Sequence, residues 1–94
     1  MPNDSINIIS AARKVLKEGD ADRALSLLED PILKENPEAQ LLAGEIHYKN
    51  QNWGSALNCF RRSLQFDPSQ EAAQTYVDLI LNILGFFHTD QFNP

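Results

Sequence analysis

The 94-residue chain has a single cysteine, Cys59, so no disulfide can close within it, and a reducing compartment suits it. Only four glycines are present and the longest apolar run is short, which indicates neither disorder nor a membrane span. Basic residues are few: eight against thirteen acidic ones, a formal net charge of −5. Binders of the phosphate backbone usually carry a basic stripe, and here only Arg13-Lys14…Lys17 and Arg61-Arg62 cluster. These read as solvated helix faces, so nucleic acid is not an expected partner. The opening "MPNDSINIIS" has no basic segment leading into an apolar core. No signal peptide is visible, and the cytoplasm is the expected location.

Reactive groups are scarce as well. Neither His47 nor His88 has a second histidine or a cysteine within one helical turn, so no metal-binding spacing exists. Arg61 and Arg62 stand close enough to lower the pKa of the Cys59 thiol, yet that residue lies off the main apolar stripe and no base can be assigned to it. No glycine-rich phosphate loop, paired-carboxylate motif or serine–histidine pair appears. Neither an enzyme nor a cofactor is expected.

What the chain does contain is helical periodicity. In "NWGSALNCFRRSLQFDP", Trp53, Ala56, Leu57, Phe60 and Leu64 recur at steps of three and four, the spacing that stacks side chains on one helix face. Asn52 is the expected N-cap, and Asp67-Pro68 the stop. A first helix spans Ser5 to Glu18, with Ile8, Ala12 and Val15 inward, and Gly19 ends it. Asp20 caps a second with Ala21, Ala24, Leu25 and Leu28 inward; Pro31 ends or bends it near Glu29. "PILKENP" is left as a turn or a short extra helical piece. Pro37 opens a third helix, where the missing amide costs nothing, and Ala39, Leu42, Ala43 and Ile46 are its apolar positions to about Lys49. A fifth follows the Ser69 cap, with Glu71 in its first turn. No strand-like alternation occurs, so the expected class is all-α.

Sliding the chain by thirty-two residues sets Ala11-Ala12 on Ala43-Gly44, Lys17 on Lys49, Ala24-Leu25 on Ala56-Leu57 and Leu28 on Phe60. Two helices per unit at a period in the low thirties is a helical-repeat signature. Antiparallel helices approach to about 8 Å only where the crossing residues are small. Gly44 and Ala56 are the expected spacers, with Trp53 and Phe60 filling the space on either side.

These residues resemble the tetratricopeptide repeat family, whose pattern runs leucine-glycine, an aromatic three residues on, alanine, an aromatic four later, and a proline. Ala43-Gly44, His47, Ala56, Phe60 and Pro68 stand at that spacing, and Trp53 takes a usual aromatic position. The departures are Gln40 for tryptophan, Ala43 for leucine and His47 for tyrosine. The first copy is degenerate: Ala12, Val15, Ala24 and Leu28 match, but the proline expected at Asn36 arrives at Pro37. The resemblance implies tetratricopeptide-like antiparallel helix pairs in a right-handed α-solenoid fragment. One small domain is expected, with repeats over 5–36 and 37–70, a capping helix over 71–87 and a tail over 88–94.

In the family, the first helix of each pair lines a concave groove that holds a partner segment. Carried over by position, the groove residues are Ile9, Arg13, Leu16 and Lys17, then Leu41, Glu45, Tyr48 and Lys49. That mixed apolar and basic surface suits a peptide with acidic character. Members that clamp the C-terminal carboxylates of heat-shock chaperones need lysine and asparagine where this chain has Ile9 and Leu42, so that partner is not expected. The implied function is a non-catalytic interaction module. The competing one is self-assembly, because the fifth helix carries one stripe of Ala73, Val77, Ile80 and Leu84 and a second of Leu79, Ile83 and Phe86. A helix apolar on several sides is normally covered. Either the tail, through Phe87 or Phe92, or a second chain is the expected cover, leaving a monomer or a weak homodimer.

Overall fold

The computed structural model describes residues 4–85. Five α-helices follow one another: α1 (Asp4–Lys17), α2 (Ala21–Leu28), α3 (Pro37–Lys49), α4 (Trp53–Phe66) and α5 (Glu71–Ile83). A short 3-10 turn, Pro31–Leu33, stands between α2 and α3, and no strand occurs among the described residues. The segment that the sequence leaves between a turn and a helical piece is therefore a single 3-10 turn.

The helix ends follow from local chemistry. The Asp20 carboxylate accepts from the Arg23 amide at 3.0 Å, and Asn36 caps α3 by accepting from the Ala39 amide at 3.0 Å. Pro37 takes the first position of α3. Gly19 and Gln51, thirty-two positions apart, both have left-handed φ (92° and 62°) at the turns that close each helix pair. The repeat is thus written in the backbone as well as in the side chains.

Three expected caps and limits are corrected. Asn52 takes the N-cap position of α4 but makes no side-chain capping bond. The N-cap of α5 is Gln70, not Ser69; the Ser69 amide and hydroxyl instead donate to the Asp67 carboxylate at 3.1 and 2.6 Å, which builds the turn. Helix α5 stops at Ile83 and not at Phe87, because Gly85 turns the chain with φ 83°. Phe86, Phe87, His88, Phe92 and the expected tail over 88–94 lie outside the described residues.

Each helix packs chiefly on its neighbours in sequence, most heavily α3 on α4, then α1 on α2 and α4 on α5. The core has two parts. The first joins Ile9, Ala12, Ala24, Leu28, Leu33, Ala39, Leu42, Ala43 and Ile46. The second joins Ala56, Leu57 and Phe60 to Ala73, Val77 and Ile80. Leu84, expected in the inward stripe of α5, is 41% exposed because it lies past the helix end.

A concave candidate binding face

Small residues set the spacing on which this face depends. Ala12, Ala24 and Ala56 are fully buried at the helix crossings. Gly44 is buried beneath the Phe60 ring, so the glycine makes room for an aromatic rather than for Ala56. Trp53 is half-buried and meets Tyr48 edge to face, with centroids 5.2 Å apart. Pro68 is exposed in the α4–α5 turn: it stops a helix and packs on nothing central.

Helices α1, α3 and α5 together present one face. A cavity of about 160 Å³ opens on it, lined by Leu16 from α1, by Leu42, Glu45, Ile46 and Lys49 from α3, and by Tyr76 from α5. Tyr76 is fixed from three sides. Its ring stacks on Phe60 (4.5 Å, 4° between planes) and meets Tyr48 at 5.0 Å and 63°. Its hydroxyl donates to the Glu45 carboxylate at 3.5 Å. Burial raises the phenol pKa, and the Glu45 charge and hydrogen bond add to the rise.

The face groups the positions expected of a groove, with exceptions. Leu16 and Lys49 line the cavity with Glu45. Tyr48 and Leu41 are half-buried against the second part of the core, and Tyr48 backs the cavity through Tyr76. Arg13 is held by Glu38, nitrogen to oxygen 2.8 Å, with both side chains half exposed, a pair that contributes little to stability. Lys17 and Lys49 are exposed and make no ion pair among the described residues. Ile9 is a correction: it is 4% exposed, inside the first part of the core, and has no surface to offer a partner. The inward side of α1 passes through Ile9 rather than Ile8, since α3 lies against that flank.

Sequence reasoning missed the polar side chains that hold the face's back wall. Gln40, 7% exposed, donates to the Leu33 and Lys34 carbonyls at 3.4 and 3.0 Å and accepts from Arg62 at 3.2 Å. Ser63, fully buried, donates to the Pro37 carbonyl at 2.8 Å and ties the end of α4 to the start of α3. Its position three residues after Phe60 on the apolar stripe was the available signal. Tyr76 was read as widening the helix's apolar faces, not as part of a groove.

Chemistry beyond binding finds no support in this arrangement. No group of three or more metal-binding side chains converges among the described residues. Burial pushes the Cys59 thiol above its ordinary pKa, and the Arg62 charge only partly opposes it, so the expected activation by neighbouring arginines is reversed. No helix among the described residues is long and apolar enough to cross a membrane.

A family model described as tetratricopeptide repeat matches residues 15–78. No curated protein and no solved structure matches the chain. The matched span runs from Val15 near the end of α1 through Asp78 in α5, and so takes in both closing turns, the Gly44–Phe60 contact and Tyr76. By that match and by its paired helices, the chain belongs to the tetratricopeptide repeat family.

Proposed function

We propose that the protein is a non-catalytic interaction module that holds an extended or helical peptide segment of acidic character against the face formed by α1, α3 and α5. Tetratricopeptide repeats generally mediate protein–protein interaction and are typically non-catalytic. The observation that carries the acidic preference is the pair Lys17 and Lys49, exposed and without ion-pair partners, beside a cavity floored by Leu16, Leu42 and Ile46. Unpaired ammonium groups next to apolar surface favour a segment that brings carboxylates and one apolar side chain together. A cytoplasmic setting agrees with the lone cysteine.

Titration of labelled acidic peptides into the protein, and into Lys17→Glu/Lys49→Glu, tests this. The parent binds with an affinity that falls as salt rises, and the charge-reversed protein keeps its fold and loses binding. Binding indifferent to both salt and reversal would remove the basic contribution. A second reading, self-assembly through α5, rests on Leu79 and Ile83, which are 43% and 49% exposed. Sedimentation of the parent over a range of concentrations distinguishes it.

A further inference from the structure

A larger cavity, about 480 Å³, opens on the other flank of α3, between α2, the 3-10 turn and α4. It shares no lining residue with the concave face. Its volume falls inside the roughly 300–1,000 Å³ range of small-molecule sites. Leu25, Leu28, Ala43 and Cys59 give it apolar walls. From α3 it takes Gln40, Ala43 and His47, the three positions at which the chain departs from the tetratricopeptide pattern. Each departure replaces a tryptophan, leucine or tyrosine by something smaller. The space is that of missing ring and branched-chain atoms.

The polar groups define what fits. The amide of Gln40 is fully used, on the Leu33 and Lys34 carbonyls and on Arg62. His47 differs: its Nδ1 is buried and has no hydrogen-bond partner. A buried imidazole nitrogen left unpaired is costly, and a ligand that reaches it recovers that cost. Charges at the lining balance, Glu29 and Asp30 against Lys34 and Arg62, so nothing there selects an ion of either sign. Raised pKa and burial keep the Cys59 thiol neutral, which adds to the apolar wall.

We propose that this cavity binds a small neutral aromatic molecule of the phenol class, its ring against Leu25, Leu28 and Ala43 and its hydroxyl on His47 Nδ1. A phenol hydroxyl both donates and accepts, so it satisfies that nitrogen in either neutral tautomer. The ring arrives as a free phenol or as the tyrosine side chain of a peptide. The site stands whether or not the concave face binds peptide, since the two share no residue.

The test uses p-cresol, with N-acetyltyrosine amide as the peptide-borne form and toluene as the ring without a hydroxyl. Binding is read from saturation transfer to the ligand and from the imidazole ¹⁵N shifts of His47. The assignment expects p-cresol to move the His47 signals and toluene to bind roughly tenfold more weakly, the loss of one buried hydrogen bond. Binding of p-cresol alone marks a free ligand, and binding of both phenols admits a peptide tyrosine. His47→Tyr supplies the ring within the chain and should abolish p-cresol binding; Ala43→Leu fills the opposite wall and should do the same. Absence of p-cresol binding at millimolar concentration overturns the proposal. So does equal affinity for toluene, or unchanged binding in the folded His47→Tyr or Ala43→Leu protein.

Discussion

The ring of Phe60 occupies the space where a Cβ on residue 44 would stand: from that point, its Cε1, Cδ1 and Cζ lie at 2.6, 2.8 and 2.9 Å. Real Cβ atoms essentially never sit that close, so Gly44→Ala demands that the ring move. It has nowhere to go, because Phe60 is fully buried and stacked on Tyr76 at 4.5 Å. Alanine's helix propensity would add about 1 kcal/mol to α3, but overpacking of this kind costs about 1–3 kcal/mol. We expect Gly44→Ala to lower the melting temperature and to loosen the Tyr76 ring, read from its aromatic NMR signals. A variant that melts at or above the parent would show that α4 can shift away from α3.

Gln51 offers the opposite experiment. It holds φ 62° at the turn where the first repeat uses Gly19 at 92°. A side chain in the left-handed region costs roughly 1–2 kcal/mol, and Gln51 is exposed, with no packing to lose. Gln51→Gly therefore raises stability, by about 0.5–1 kcal/mol once the greater freedom of the unfolded glycine is subtracted. Urea denaturation measures it. An unchanged or lower midpoint would mean that the turn carries no strain.

Much of this architecture was legible in the sequence because it depends on local chemistry. Gly19, Pro31 and Pro37 punctuate helices through backbone geometry alone, and Asp20 caps through its own carboxylate. The errors occur where a neighbour decides. Ile8 and Ile9 both flank Ala12 on α1, and only the position of α3 chooses Ile9 as the buried one. Ser69 looks like a cap until Asp67 takes both its amide and its hydroxyl. Leu33, fully buried from a 3-10 turn, follows no helical period. At the binding face, Lys17, Lys49 and Leu16 followed from the repeat register, whereas Tyr76 did not. Its role comes from α5 lying beside α3, which brings it onto Glu45 and Tyr48.

Two buried acids set the alkaline limit of stability. The Cys59 thiol is raised above 9.0 by desolvation, with Arg62 opposing; the Tyr76 phenol is raised above 10.0 by desolvation and then by Glu45. When a folded-state pKa is raised, the unfolded chain releases its proton first. Stability is then fully present below the unfolded pKa and falls as pH climbs towards the folded one. The midpoint of urea unfolding should decline as pH rises through 9.0, and again through 10.0. Cys59→Ala should remove the first decline and Tyr76→Phe the second. In the same range, native Cys59 should react with iodoacetamide more slowly than the thiol of the unfolded chain. Equal rates would mean that the thiol is not desolvated.

Leu79 and Ile83 decide between the two readings of α5. They follow Tyr76 by three and seven residues, which puts all three along one side of the helix. Tyr76 lines the cavity with Leu16, Glu45 and Lys49, so the exposed Leu79 and Ile83 continue the concave face rather than form a separate outer one. The side of α5 that leads away from the groove is polar: Gln74 donates to Asp78 at 3.0 Å, and both residues are exposed. Asp78 stands thirty-four residues after Gly44, where another helix could approach closely only over a bare backbone. A peptide that places carboxylates near Lys17 and Lys49 would then set its apolar residues on Leu79 and Ile83. We expect Leu79→Glu/Ile83→Glu to weaken peptide binding about tenfold or more, since the substitutions remove apolar contact and add repulsion of acidic groups. The melting temperature should change little, because both side chains are already largely in water. The parent should sediment as a monomer, and so should the variant. A parent that is dimeric and becomes monomeric on this double substitution would assign the stripe to self-assembly instead, and leave Lys17 and Lys49 as solvated charges.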